Sequence, residues 1–310
     1  MTDHTTPTTP TTPTTPITPA GAAPAGAAPA GPTGPATAGP TGPATDRVLR
    51  VTHIARSFGT NHVLRDISLD AHRGEVVALL GANGSGKSTA LRIIAGLDRH
   101  DRGDVDVPGG TGTAVIFQKV HLVPRRSVLD NVCAGGIAHI PRWRSLLPAT
   151  FPTTLREEAM GCLRRGGLAD RAHDRAGSLS GGQQQRVAVA RALCQRAELI
   201  LADEPTSALD PTAAHQVMAL LRDIAKTAGV ACVAVVHQPE LALEYCDTVV
   251  GIREGRVAFT LPAAEADLGR ISALYRAATP STATADTPAT VPVTVTVPAT
   301  GPTTPTEESR

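Results

Sequence analysis

The run Val76–Leu80 is apolar without a break, the pattern of a strand buried on both faces of a parallel sheet. After Gly86 the period changes: Ala90, Ile93, Ile94 and Leu97 recur at helical spacing, so a strand should pass into a helix across a glycine-rich turn. Apolar runs at Thr113–Phe117, Leu199–Ala202 and Val230–Val236 repeat the strand signal. Ahead of the first run, Val48–Ile54 and Ile67–Asp70 predict short strands. In the second, Ile67 and Leu69 point inward and Asp66, Ser68 and Asp70 outward, as in an antiparallel sheet. Val249–Ile252 and Arg256–Phe259, joined near Glu254-Gly255, read as a closing hairpin.

Between the strands the polar punctuation marks turns and caps. Gly103, Pro108, Gly109, Gly110 and Gly112 predict a turn-rich connection. Val128 to Arg171 is mostly helical, rich in arginine and interrupted by Pro141, Pro148 and Pro152, which suggests a helical subdomain inserted at about residues 120–178. A helix with Val187, Ala190 and Cys194 on one face follows Ser180, and another starts at Asp210-Pro211, a helix cap followed by a first-turn proline.

Composition divides the 310 residues into three parts. Residues 1–46 are almost entirely Thr, Pro, Ala and Gly, and the same composition returns over 279–310; both read as disordered tails that have too little to bury. Val293–Val297 alternates like a strand, but Pro292 and Pro298 bracket it and no partner strand is apparent. One folded unit over 47–278 remains. A formal net charge of +1 offers no basic field for nucleic acid. Five cysteines, odd in number and without a Cys-x-x-Cys pair, argue against a disulfide framework or a zinc site and read as small core residues. No apolar run approaches the ~18 residues of a membrane span, so a soluble, cytoplasmic chain is expected, with any membrane role borrowed from a partner.

Candidate chemistry concentrates at the predicted strand ends. Gly81-Ala82-Asn83-Gly84-Ser85-Gly86-Lys87-Ser88-Thr89 fills every position of the phosphate-binding loop pattern, in the strand-to-helix context that the motif requires. Its glycines let the backbone approach phosphate oxygens, Lys87 reaches the terminal phosphates, Ser88 can ligate magnesium, and Thr89 adds a hydroxyl. Gln118 follows the next strand, Asp203 and Glu204 the one after, and His237 the last. Adjacent carboxylates at such an edge can hold magnesium and polarise a water molecule. Ser180-Gly181-Gly182-Gln183 opens a helix and offers a second anion site. Phe58, just before Gly59, is either an adenine-stacking ring or a plain core phenylalanine. The fold expected is α/β: a P-loop NTPase core with a mainly parallel sheet, an N-terminal antiparallel β subdomain and the inserted helical subdomain.

In this order the motifs resemble the ATPase subunits of ATP-binding cassette (ABC) transporters, over Val48 to Phe259. The resemblance implies ATP and magnesium as cofactors, with Phe58 stacking on adenine and Gly81–Thr89 as the Walker A loop. It implies Gln118 as the Q-loop glutamine, Leu179–Gln183 as the signature motif, Ser207–Asp210 as the D-loop and His237 as the switch histidine. Glu204 would be the catalytic carboxylate, assisted by Lys87, Gln118 and His237, and the metal would be held by Ser88, Gln118 and Asp203. It also implies a head-to-tail homodimer, transmembrane permease subunits served by a solute-binding protein, a place on the cytoplasmic face of the membrane, and no nucleic acid. A soluble cassette acting on ribosomes or DNA would usually carry tandem cassettes or long insertions, and this chain has one Walker A motif and no repeat.

Within the family the chain is similar to phosphonate importer subunits in Ile116-Phe117-Gln118 running into Leu122-Val123 and Ser127–Val132, in Trp143-Arg144-Ser145-Leu146-Leu147 with Phe151, and in His237-Gln238. The 20 residues between Leu97 and Gln118 form a shorter interval than that subfamily implies, a feature similar to nitrate and sulfonate importer subunits. Trp143, the chain's one tryptophan, is expected to anchor a permease helix in a groove beside Gln118, or else to pack inside the subdomain.

Overall fold

A computed structural model describes residues 46–107, 112–140 and 150–276. Apart from Asp46, the two tails lie outside the described residues, as do the Val293–Val297 patch and Trp143.

Among the described residues nine strands form one sheet, in the order β4-β1-β2-β9-β8-β3-β7-β6-β5. Its centre is parallel. β3 (Val76–Leu80) lies between β7 (Ala231–Val235) and β8 (Thr248–Arg253), and β6 (Leu199–Asp203) between β7 and β5 (Thr113–Ile116). Residues of β3 alternate between two cores. Val76, Ala78 and Leu80 face helices α4 (Gly181–Cys194), α5 (Pro211–Ala228), α6 (Pro239–Tyr245) and α7 (Leu268–Arg276), while Val77 and Leu79 face α1 (Lys87–Ile94) and the antiparallel strands. Burial on both faces explains why the sequence run has no polar gap.

The N-terminal hairpin is longer than its apolar patches. β1 (Arg47–Phe58) pairs with β2 (Asn61–His72) along its length, and Phe58 is the last residue of β1. Register shifts at Val51/Ile54 and Ile54/Arg56, with His53 at φ 49°, break the alternation and hide the strand's second half. A strand also runs where the turn-rich connection was expected: β4 (Arg102–Asp106) pairs with the outer edge of β1. It is nearly all exposed, so it has no apolar pattern to read. The expected apolar face of α1 stops at Ile94. Gly96 turns at φ 70°, and Leu97, beyond it, is 53% exposed. The closing hairpin of β8 with β9 (Arg256–Pro262) follows expectation, with Glu254 and Gly255 both at positive φ as a two-residue turn requires.

A third core belongs to the helical subdomain, where Val128, Val132 and Cys133 of α2 (Val128–Cys133) meet Leu155, Ala159, Cys162 and Leu163 of α3 (Thr153–Arg165). It is closed by Val187, Ala190 and Cys194 of α4, whose other face, Ala188, Val189 and Ala192, packs on the sheet. All five cysteines are free and buried, as core residues should be, and burial pushes the Cys232 thiol up to about 12.

Two neighbours fix the turn between β3 and α1. The Gly255 amide donates to the Ser85 carbonyl at 3.2 Å, holding the loop against the β8–β9 turn. Gly86 sits at φ 102°, where a Cβ would meet the Leu64 side chain and stand 3.0 Å from the Val63 carbonyl of β2. Gly86→Ala should therefore lower stability by about 1–3 kcal/mol, through backbone strain and displacement of β2. Equilibrium urea unfolding checks this, and an unchanged midpoint would show that the loop tolerates a side chain.

Candidate nucleotide-binding site

Strands packed on both faces can present polar groups only beyond their last residue, and four neighbours in the sheet do so. The loop 81–86 follows β3, His237 follows β7, Asp203 ends β6 with Glu204 just beyond it, and Gln118 follows β5. A cavity of about 800 Å³ opens along this edge, lined by Asn83, Gly84, Gly86–Thr89, Gln118, Glu204 and His237. The opening turn of α1 adds backbone amides that its own helix leaves unbonded.

Charge is concentrated and poorly solvated here. Lys87 is 5% exposed, and its ammonium donates to the carbonyls of Gly81 at 2.8 Å and Ala82 at 2.9 Å. Burial pushes its pKa below the usual lysine value, against the pull of Glu204 and Asp203. Burial raises Asp203 above the usual carboxylate range, opposed by a hydrogen bond from Ser88 Oγ to Oδ1 at 2.9 Å. Both charged forms are therefore disfavoured in the protein alone, and both suit a ligand that carries negative phosphate and a hard cation. The adjoining oxygens of Ser88 and Asp203 fit magnesium, which is ordinarily held by one or two protein oxygens together with phosphate and water. Among the described residues no group of three or more His, Cys, Asp or Glu could hold a metal, and that mode of binding requires none.

The reacting side of the cavity is a chain of contacts. His237 Nε2 lies 2.6 Å from Glu204 Oε1. Glu204 itself is held at φ 50°, a left-handed conformation rare outside glycine, and its carbonyl accepts from the Ser207 amide and hydroxyl at 3.3 Å. Gln118 Nε2 donates in turn to Ser207 Oγ at 3.0 Å. Gln118 thus lines the cavity with its side chain engaged by Ser207, a contact that sequence reasoning missed although Ser207 belongs to the motif beginning there. Asn61, Val63 and Gln238 were also missed as lining residues. Their signal is weak: Asn61 and Val63 lie on β2 just past the turn that follows Phe58, with nothing chemical to mark them.

Other expected residues stand apart from the cavity. Phe58 is 48% exposed, which removes the core reading. Its ring lies under the Arg56 guanidinium at 4.6 Å, and it pairs across the hairpin with Asn61 without lining the cavity itself. Ser180 caps α4 in a reciprocal box: its hydroxyl accepts from the Gln183 amide at 3.3 Å, and the Gln183 side chain accepts from the Ser180 amide at 3.0 Å. That leaves the amides of exposed Gly181 and of Gly182 without helical partners. Gly182 is also a contact point, since a Cβ there would lie 2.7 Å from Ala213 Cβ on α5. Asp210 caps α5, its Oδ1 accepting from the Ala213 amide at 2.9 Å. Neither Ser180–Gln183 nor Asp210 lines the cavity, so one chain does not bring the expected second anion site to the first.

The family profile "ABC transporter" matches residues 64–207. The phosphonates import ATP-binding protein PhnC 1 of Pseudomonas aeruginosa (strain UCBPP-PA14) is 44% identical over 249 residues, covering 74% of this chain and 89% of that protein. Among solved structures, cbiO1 of Clostridium perfringens, part of the ABC transporter complex cbiONQ, matches with TM-score 0.63 and 27% identity, over 71% of this chain and 90% of that one. The ATP-binding cassette MJ0796, in a dimeric post-hydrolysis state bound to ADP and Pi, matches with TM-score 0.57 and 29% identity, over 69% and 98%. Among the described residues no helix is long and apolar enough to cross a membrane. Fold, motif order and relatives agree: the chain belongs to the family of ATP-binding subunits of ABC transporters.

Proposed function

We propose that this chain hydrolyses ATP to drive import of phosphonate through a membrane permease. The observation that carries the catalytic part is the single edge that gathers Lys87, the Ser88–Asp203 pair, the Glu204–His237 pair and Gln118. Support for the substrate comes from curated relatives at 40–45% identity that bear the phosphonate name.

Lys87 and the amides of Gly84–Thr89 bind the terminal phosphates, and the hairpin tip at Phe58 and Asn61 takes the adenosine end. Magnesium, held by Ser88, Asp203 and Gln118, would neutralise phosphate charge. Glu204 orients the attacking water and accepts its proton, and His237 fixes the carboxylate and reaches the terminal phosphate. Closure of the cavity by a second copy would exclude water and strengthen each of these interactions. Ser180, Gly181 and Gly182 complete the site of a second copy, and Asp210 lies at the same dimer face. This head-to-tail pairing accounts for an anion-binding helix start remote from the chain's own loop. The subunit sits at the cytoplasmic face of the membrane, held there by its permease, and the solute-binding protein of that system selects the phosphonate.

Glu204→Gln should lower steady-state hydrolysis by about 10²–10⁴-fold while leaving ATP binding intact, because it removes the proton acceptor and keeps the shape. Wild-type turnover in the purified variant overturns the assignment. Head-to-tail pairing predicts complementation. Chains carrying Lys87→Ala and chains carrying Gly181→Asp, a position where a side chain has room, should each be inactive, yet regain ATPase activity when mixed, since one composite site of the heterodimer is intact. A mixture as inactive as its components rules out this pairing. Growth on phosphonate as the sole phosphorus source should require the chain together with its permease; loss of nitrate or sulfonate uptake instead would reassign the substrate.

A further inference from the structure

Helix α4 starts at the signature segment, and its far end touches the Gln118 segment at two points. Gln195, which caps the end of α4, donates through Nε2 to the carbonyl of Thr113, the first residue of β5, at 3.0 Å. One helical turn earlier, Arg191 Nη1 donates to the carbonyl of His121 at 2.7 Å. Residues four apart share a helix face, so one face of α4 holds both ends of the stretch 113–121. Gln118 lies between those anchors. The His121 ring packs edge-on against Phe117, with centroids 5.6 Å apart, which carries the second anchor back to the residue beside Gln118.

Arg191 is held in place from its own side as well. Gly135 packs so closely on this turn of α4 that a Cβ there would strike the Arg191 carbonyl and lie 3.2 Å from Arg191 Cγ. Burial pushes the Arg191 guanidinium below the usual arginine value, and among the described residues no charged neighbour offsets it. A partly desolvated cation whose partner is a backbone carbonyl contributes little to stability by charge pairing. What it fixes is the position of that carbonyl.

We infer that Arg191 is a positioning residue for Gln118: with Gln195 it fastens the Gln118 segment to the helix that opens with Ser180–Gln183, so that the metal-binding glutamine and the signature amides shift as one unit. This rests on the role given to Gln118 in the proposed function.

The test is a double-mutant cycle in the full-length chain, with Arg191→Met, Gln118→Ala and the pair, measuring kcat, ATP affinity and thermal unfolding. Arg191→Met should lower kcat about ten- to a hundredfold while ATP affinity stays near wild type, and adding it to Gln118→Ala should cost nothing further. Arg191→Lys, which can still donate to the His121 carbonyl, should recover part of the rate and serves as the folded comparison if the methionine variant unfolds. Losses that add in the pair, or a folded lysine variant with no recovery, overturn the inference. A normal kcat in Arg191→Met beside an impaired Gln118→Ala overturns it alone; a normal Gln118→Ala removes the reading of Gln118 and the inference with it.

Discussion

Four neighbouring parallel strands packed on both faces have no room for polarity until they end, and the site is the result of that constraint. β3, β7, β6 and β5 stop at the same edge, so a glycine loop, a histidine, the Glu204 carboxylate and a glutamine arrive within one cavity, with Asp203 behind Ser88, although residues 81 to 237 separate them in sequence. Strand pairing sets their spacing: Leu79 lies opposite Val235, and Asp203 opposite the same Val235 from the other side. The chemistry needs no long-range coordination beyond sheet register.

The assembled edge is uncomfortable for the protein alone. Lys87 and Asp203 are both shifted against their charged forms by burial, and Glu204 occupies a backbone conformation that glycine would take more easily. Such tension is sustained by the cores on either side of the sheet. A ligand that brings phosphate to the lysine and a cation to the aspartate would relieve it.

The parts legible in the sequence are those where one physical cause dominates. Continuous apolar runs located β3, β6 and β7 to within one residue at their ends, and the loop pattern, the Asp210 cap and the Ser180 cap follow from local chemistry. β4 was invisible because an exposed edge strand buries almost nothing. The second half of β1 was invisible because irregular register scrambles its alternation. Leu97 misled because an apolar residue can carry on the helical period past the glycine that ends the helix. Ser207 as partner of Gln118, and Arg191 as partner of His121, join positions 89 and 70 residues apart, which no local pattern encodes.

Helix α4 is apolar on two faces, and this shapes how the molecule can vary. Its Val187, Ala190 and Cys194 side is the floor of the helical subdomain, and its Ala188, Val189 and Ala192 side is a wall of the sheet core. α2 and α3 are thus an excursion of the chain that leaves β5, covers the outer face of α4 and returns to enter that same helix. Their lengths and outer surface can change from one relative to another without moving any strand end, while α4 itself admits little change on either side. A lineage could refit the subdomain to a new partner and inherit the catalytic edge intact.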